Sequence, residues 1–177
     1  MTKSILIEPS RRRQKEFLTA VERSRKLHGR WVHPPTTPAD FDRYIRNCRG
    51  SRSRGFWIAA DGPDLAGVVT VSEIVRGPFQ SAYLGYYAFV PYAGQGYMSR
   101  GLGAVITWAF RDEGLHRLEA NIQPGNDDSR RLVERLGFAL EGFSPGYLKI
   151  GGRWRDHERW AIRKENWRTR PEPQGGT

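Results

Sequence analysis

Residues 83–110 read YLGYYAFVPYAGQGYMSRGLGAVITWAF, and this stretch decides how we interpret the whole chain. Its first part, 83–90, is rich in aromatic and branched residues, which is typical of a buried strand. Pro91 ends the strand, because proline cannot donate a hydrogen bond within a sheet. Over 98–110, apolar residues recur at helical spacing. The stretch therefore predicts a strand, a glycine loop and a helix in succession.

The loop between these two elements contains Gly94, Gln95 and Gly96. Glycine lets the backbone approach a ligand closely, and the first N–H groups of a helix lie unpaired at the positive end of its dipole. A phosphate group fits such a place. A tight turn without a ligand is the alternative for an isolated Gly-x-Gly. The loop has neither the third glycine of the dinucleotide fingerprint nor the Gly-Lys-Ser/Thr of a P-loop.

The composition is that of a basic globular protein. The 177 residues are 38% hydrophobic, enough for one domain with its own core, and we predict a single domain over 1–170 and a disordered Pro/Gly-rich tail over 171–177. The 29 Lys and Arg against 19 Asp and Glu give a net charge of +10, which attracts polyanions such as nucleic acid, the ribosome or an anionic cofactor. The basic residues are spread along the chain, so we expect electrostatic steering without sequence readout.

The only cysteine, Cys48, cannot form an internal disulfide, which favours a reducing compartment. It stands on the apolar face of a predicted helix, and this position favours a buried small side chain. The sequence contains neither a signal peptide nor an apolar run of membrane length. We therefore expect a cytoplasmic protein with no membrane partner, and we assign no metal site.

The remaining segments complete a mixed α/β order. Helices are predicted over 11–26, from Thr37 through Cys48, over 98–110 and over 132–136, with Thr37 as the N-cap of the second. Strands are predicted over 5–7, 56–60, 65–75, 83–90, 117–122, 138–140, 147–150 and 154–162. Strand, two helices, three strands, helix, strand, helix and further strands make one mixed α/β (α+β) domain.

The stretch Pro91-Tyr92-Ala93-Gly94-Gln95-Gly96 resembles the pyrophosphate loop of the GNAT superfamily of acetyl-CoA-dependent N-acetyltransferases. That loop has the form Gln/Arg-x-x-Gly-x-Gly/Ala between a strand and a helix, so Pro91 departs from it at the first position. The second GNAT signature, Asn-x-x-Ser followed by Leu-Gly-Phe-x-x-Glu-Gly, matches residues 126–129 and 136–142. The resemblance implies the GNAT fold, a central mixed, mostly antiparallel sheet with splayed central strands flanked by helices.

Residues 75–79, 83–86, 126–129 and 147–157 resemble the RimJ/RimL branch, the ribosomal-protein N-terminal acetyltransferases, and above all its alanine-specific RimJ type. The resemblance implies transfer of an acetyl group from acetyl-CoA to a primary amine, the α-amine at the N-terminus of a ribosomal protein. It also implies association with the ribosome and leaves a homodimer open. A small-molecule amine acetyltransferase and a GNAT-like module that binds RNA or the ribosome without turnover are the alternatives.

The same resemblance implies which residues contact acetyl-CoA. The backbone of Ala88, Phe89 and Val90 would pair with the pantetheine arm, and an N–H there would polarise the thioester carbonyl; an ordinary central strand is the alternative. Asn126 and Ser129 would reach the arm, with a turn residue as the alternative for Asn126. The residues implied around the pyrophosphate are Gly94, Gln95, Gly96, Tyr97, Met98 and Ser99.

Ser129 matches the serine that the RimJ/RimL branch holds near the sulfur, so the resemblance implies that it protonates the leaving thiolate; helix capping is the alternative. Many GNAT enzymes use a tyrosine in the following helix, but that position here is Val133. Tyr147 and Glu73 complete the predicted catalytic set.

The sequence does not single out one residue as the general base. RimL-type enzymes have a glutamate just before the tyrosine that matches Tyr147, and Gly146 stands there instead. The candidates that remain are Glu73, Glu119, Asp156 and His157. An α-amino group has a pKa near 8, against about 10.4 for lysine, so it needs less help to lose its proton. The missing glutamate therefore favours an α-amine as the acceptor.

Overall fold

The computed structural model describes residues 5–167, which build one seven-stranded sheet in the order β1-β2-β3-β4-β5-β7-β6. The strands are β1 Leu6–Ile7, β2 Arg54–Ala59, β3 Leu65–Val75, β4 Ser81–Ala88, β5 Arg117–Ile122, β6 Ala139–Ile150 and β7 Arg153–Arg163. The helices are α1 Gln14–Arg23, α2 Arg25–His28, α3 Pro38–Asn47, α4 Tyr97–Arg111 and α5 Asp127–Arg135, with 3-10 turns at Arg11–Arg13 and Lys164–Asn166. Among these described strands only β4 and β5 pair in parallel, so the mixed, mostly antiparallel sheet is confirmed.

The two faces of the sheet are covered by different helices. Side chains alternate between faces along each strand, so Leu84 packs with α4 and α5 while Phe89 packs with α1 and α3. On the second face, Phe17 of α1 stacks on Trp57 at 5.4 Å between ring centroids. The side chain of Thr37 caps α3 by accepting a hydrogen bond from the backbone N–H of Asp40, as predicted.

Two glycines bring α4 close to the sheet. A Cβ on Gly101 would lie 2.4 Å from Cδ1 of Ile58, and a Cβ on Gly67 would lie 2.4 Å from Sδ of Met98. Real Cβ atoms do not approach so closely, so the side chains of Ile58 and Met98 pack against the two glycines only because neither glycine has a side chain. This packing fixes the position of the first turn of α4.

β4 and β5 pair over a short segment and then separate. They pair at Ser81–Arg117, Ala82–Leu118 and Tyr83–Glu119, and no further pairs join them within residues 5–167. β4 continues to Ala88 and β5 to Ile122, so their outer ends border a gap in the sheet. The predicted splay of the central strands is confirmed, and the loop that leaves β4 leads to the N-terminus of α4 at the end of this gap.

The strand predicted over 83–90 covers Ser81–Ala88, the helix predicted over 132–136 covers Asp127–Arg135, and two other predicted elements are divided differently. The helix predicted over 11–26 is interrupted at Ser24, whose hydroxyl accepts a hydrogen bond from the backbone N–H of Val90 at 3.0 Å. The segments predicted separately over 138–140 and 147–150 belong to one strand, β6. Its register with β7 shifts between Ser144 and Leu148, and this irregularity absorbs the Pro-Gly pair that reads as a break in the sequence.

One sheet runs through the described residues, and the single domain over 1–170 stays a prediction. The tail predicted over 171–177 lies outside the described residues. Within 5–167, none of the helices is both long and apolar enough to cross a membrane.

Candidate active site

The backbone of Ala88 faces the gap between β4 and β5. The N–H of Phe89 donates to the carbonyl of Ala66 on β3 at 2.8 Å. Because alternate residues of an antiparallel strand direct their backbone groups to opposite neighbours, Ala88 and Tyr86 direct theirs towards β5. Of the predicted stretch from Ala88 to Val90, the N–H groups of Phe89 and Val90 are therefore held by other partners, and that of Ala88 faces the gap.

The carbonyl of Ala88 is held in place by His28 on α2. It accepts a hydrogen bond from Nε2 of His28 at 2.9 Å, and His28 packs edge-on against the ring of Tyr87. A carbonyl oxygen can only accept, so Nε2 carries the proton. Burial lowers the pKa of His28, so its ring is neutral at pH 7. The end of β4 is thus fixed from the α2 side.

The glycine loop presents open backbone at the start of α4. Gly94 and Gly96 have φ of 77° and 83°, and a Cβ on either would meet nothing within 4 Å. Gly96 is the N-cap of α4, and among the described residues no side chain caps this end and no acidic residue lies in its first turn. Gln95 Nε2 donates to the carbonyl of Pro91 at 2.7 Å, which closes the loop on itself. The positive end of a 15-residue helix therefore faces open space, a place suited to an anion.

The three residues after the loop form the start of α4. The Tyr97 hydroxyl donates to Oδ2 of Asp61 at 2.6 Å, and the side chain of Met98 packs against Gly67. Both side chains are therefore engaged in the fold. Ser99 is half-buried in the first turn of α4. A ligand contact of Tyr97, Met98 or Ser99 stays a prediction, and it would involve their backbone N–H groups.

Ser129 stands in the first turn of α5 with its hydroxyl available for chemistry. Asn126 caps the helix instead, because its Oδ1 accepts from the N–H of Ser129 at 3.4 Å. The Oγ of Ser129 lies 2.7 Å from the phenolic oxygen of Tyr86 on β4. Asn126, and not Ser129, is therefore the residue that caps α5.

Tyr86 is a site residue that the sequence alone did not reveal. Burial raises its pKa to about 12, with the hydrogen bond to Ser129 acting in the opposite sense. Its hydroxyl is therefore protonated at neutral pH and can donate to Ser129. Tyr86 and Ser129 are 43 positions apart, so their contact cannot be recognised in the sequence. The alternation along β4, which turns Tyr86 towards α5, is the one sequence feature that favours this contact.

On the opposite face of the gap lies an aromatic cluster of Tyr83, Tyr147 and His157. The hydroxyls of Tyr83 and Tyr147 are 3.5 Å apart, and the Tyr147 ring lies 6.1 Å from that of His157. The hydrogen bond to Tyr147, more than burial, raises the pKa of Tyr83 to about 12. Tyr147 is presented by the irregular part of β6, where Asp156 Oδ1 accepts from the N–H of Gly146 at 2.8 Å.

Glu73 lies elsewhere. It is exposed, has a φ of 49°, and pairs with Arg52. The register of β3 against β4 shifts between Ser72 and Val75, and Glu73 falls within this irregularity. Within residues 5–167, Glu73 makes no hydrogen bond or ion pair with Ser129 or Tyr147.

The other acidic candidates for a base are also engaged. Glu119 pairs with Arg117 at 2.8 Å, and Asp156 holds the backbone of Gly146. Beside the aromatic cluster, Asn121 Oδ1 on β5 and Arg159 Nε on β7 are buried without a hydrogen-bond partner among the described residues. Buried polar atoms normally have partners, so this face is suited to a polar ligand.

The chain matches a known family model and several known proteins. The model of the acetyltransferase (GNAT) domain matches residues 5–139. The [ribosomal protein uS5]-alanine N-acetyltransferase of Escherichia coli is 40% identical over 107 residues, which are 60% of this chain and 55% of that protein. The chain thus spans about half the length of the curated relatives it matches.

Solved structures extend the likeness over nearly the whole chain. RimJ of Mycobacterium smegmatis, solved in complex with CoA-disulfide, has a TM-score of 0.80 at 26% identity, covering 96% of this chain and 83% of that one. The ribosomal-protein-S5-alanine acetyltransferase of Vibrio fischeri has a TM-score of 0.79 at 24% identity, covering 95% and 98%. The second likeness concerns the fold alone.

Proposed function

The chain belongs to the GNAT acetyltransferase family, and on this premise we propose that it transfers an acetyl group from acetyl-CoA to the N-terminal α-amine of a protein. The observation that carries the proposal is the gap between β4 and β5, which the backbone of Ala88 faces. Ser129 and Tyr86 border the gap on one face, and Tyr83 and Tyr147 on the other. A thioester in this gap is accessible from both faces of the sheet.

The residues present fit acetyl-CoA as the co-substrate. The open backbone at Gly94 and Gly96, at the positive end of α4, suits the pyrophosphate. Among the described residues, no strand pairs with the inner edge of β4 beyond Tyr83, so the amide groups of the pantetheine arm can pair with this edge as a strand would. RimJ of Mycobacterium smegmatis, which has the same fold, is a CoA complex.

The reaction requires three events at neighbouring atoms. The amine nitrogen attacks the thioester carbonyl carbon, a C–N bond forms, and the C–S bond breaks. The N–H of Ala88 donates to the carbonyl oxygen as negative charge develops there. The sulfur leaves as a thiolate and takes a proton from Ser129, which recovers it from Tyr86, 2.7 Å away. The nitrogen loses a proton to water as the amide forms, and water restores a proton to the phenol.

An α-amine suits this site better than a lysine side chain. Its pKa near 8, against about 10.4, leaves a larger neutral fraction at pH 7. The relative in Escherichia coli is an alanine N-acetyltransferase of a ribosomal protein. The net charge of +10 adds attraction to the anionic surface of the ribosome, which salt screens. We place the reaction in the cytoplasm, where ribosomes are made.

The test is a panel of acceptors with detection of free CoA thiol. Short peptides starting with alanine are expected to react fastest, and the same peptides with a blocked N-terminus and an internal lysine should react far more slowly. Reaction of polyamines or free amino acids alone, with every peptide silent, would favour a small-molecule enzyme. Acetyl-CoA binding without turnover of any amine would favour the binding module.

A further inference from the structure

The buried His157 on β7 offers an open lone pair beside the proposed acceptor face. We propose that Nε2 of His157 accepts the proton that the acceptor ammonium releases on becoming the nucleophilic amine. This inference rests on the proposed function and assigns its general base. The acidic candidates do not supply this base, because each is engaged with another partner.

The hydrogen bonds of the ring decide which nitrogen is basic. Nδ1 of His157 lies 2.9 Å from the backbone carbonyl of Arg155. A carbonyl oxygen only accepts, so Nδ1 carries the proton and Nε2 of the neutral ring holds the lone pair. Within residues 5–167, Nε2 of His157 has no hydrogen-bond partner. It is not fully buried, whereas Nδ1 of His28 is fully buried and also lacks a partner. Its lone pair therefore remains in reach of a ligand or solvent.

The topology puts this nitrogen at the level of the gap. β5 and β7 pair up to Ile122–Glu158, so His157 stands beside the C-terminal end of β5, where that strand borders the gap. Alternation along β7 puts His157 on the same face as Arg159, opposite the face of Trp160 that packs with α4 and α5. Tyr147 lies against its ring on this face. His157 and Ser129 thus lie on opposite sides of the gap, as proton removal from the amine and proton delivery to the sulfur require.

The surroundings keep His157 ready to accept. Burial lowers its pKa, while the bond to the Arg155 carbonyl and the charge of Asp156 act in the opposite sense. The charged and titratable groups around it are Asp156, Arg155 and Arg159 on its own strand, Tyr147 and Glu141 on β6, Glu119 and Arg117 on β5, and Tyr83 on β4. His33 approaches the β6–β7 turn at Gly151. The ring is therefore neutral at pH 7.

The proton inventory closes without another reagent. The ammonium of the acceptor gives one proton to Nε2, and the neutral amine then attacks the thioester. The imidazolium passes the proton to water after the product leaves. The attacking nitrogen loses its second proton to water as the C–S bond breaks, and the thiolate receives a proton from the Ser129 side that water then restores, so amide and thiol are both neutral products. A histidine base contributes roughly 10²-fold or more to such a step.

The decisive variant is His157→Asn, because the Asn side-chain amide can keep the donation that Nδ1 makes to the Arg155 carbonyl. We expect kcat/KM with an alanine peptide to fall about 10²-fold at pH 7. The loss should shrink as pH rises past about 8, where the amine deprotonates unaided. Acetyl-CoA affinity and melting temperature should change little. The control is His116→Asn, which removes an exposed histidine that pairs with Glu165 at the opposite end of β5.

A wild-type kcat/KM and pH profile in a folded His157→Asn protein would overturn the assignment while leaving the proposed function intact. Silence of the wild type with every amine overturns both. A second measurement needs no variant: a peptide whose N-terminal amine carries an electron-withdrawing group stays neutral to lower pH. With this acceptor the wild-type rate should still fall on acidification below the ordinary histidine pKa of about 6.5, because His157 protonates; a rate that stays constant over the whole acidic range in which the protein remains folded contradicts a histidine base.

Discussion

The phenolic oxygen of Tyr86 lies 2.7 Å from Oγ of Ser129, and this contact joins the central strand β4 to the first turn of α5. Both hydroxyls border the gap between β4 and β5. A serine alone is a poor acid, but a serine that receives a proton as it gives one away can protonate a leaving thiolate. We therefore expect the two hydroxyls to act together as one unit in proton transfer.

Tyr86→Phe and Ser129→Ala test this unit together. Each single change is expected to lower kcat by about tenfold or more, and the double variant should be no slower than Ser129→Ala, because both lie on one proton path. Acetyl-CoA affinity should change little. Tyr44→Phe removes a phenol in the opposite core, where it accepts from Trp57, so it should lower the melting temperature and leave kcat unchanged. Additive losses in the double variant would mean that the two hydroxyls act separately.

Gly96→Asp should weaken acetyl-CoA binding by at least tenfold, or about 1.4 kcal/mol. The new carboxylate would stand at the positive end of α4, where the proposal places the pyrophosphate. Gly114→Asp is the matched control: Gly114 also has a positive φ, at 72°, with nothing within 4 Å of its Cβ, but it follows the other end of α4. Calorimetry on both folded variants separates charge from backbone strain. Equal affinities would contradict the assignment of the loop.

Gly101→Ala should destabilise the fold by about 1 kcal/mol or more, although alanine is the better helix former. The new Cβ would lie 2.4 Å from Cδ1 and 2.5 Å from Cγ1 of Ile58, which is fully buried. Ile58→Ala removes those atoms, so the same glycine change made in that background should cost less or become stabilising. Urea unfolding of the four proteins measures the coupling. Equal costs in both backgrounds would show that α4 shifts freely on the sheet.

Glu141→Gln should lower the melting temperature at neutral pH but not in acid. Hydrogen bonds from Arg117 hold the pKa of Glu141 below its usual range. A carboxylate with a lowered pKa stabilises the fold above its unfolded pKa of about 4.3, and this contribution disappears as pH falls through the folded value. The difference in melting temperature between wild type and variant should therefore be full at pH 6 and shrink steadily as pH falls below about 4. A difference that is constant over this range would point to packing instead.

The backbone of the proposed site could be predicted because it is local in sequence. A strand, Gly94-Gln95-Gly96 and a helix follow one another, and each element has its own pattern. The Tyr86–Ser129 contact could not be predicted, since it depends on which face of β4 lies against α5. Glu73 lies in the irregular part of β3 and pairs with Arg52, and its predicted catalytic role stays a prediction. Strand residues can be assigned to a face by counting only while the register holds.

The short contact between β4 and β5 has a consequence for the motions of the protein. Pairing over Ser81–Tyr83 is the only strand contact between the β1–β4 part of the sheet and the β5–β7 part within the described residues. Units joined by few backbone bonds open independently, so amide hydrogen exchange should divide the sheet into two blocks of different protection. A CoA molecule bound across the gap would bridge both blocks. With it bound, we expect their amides to exchange together, as one cooperative unit.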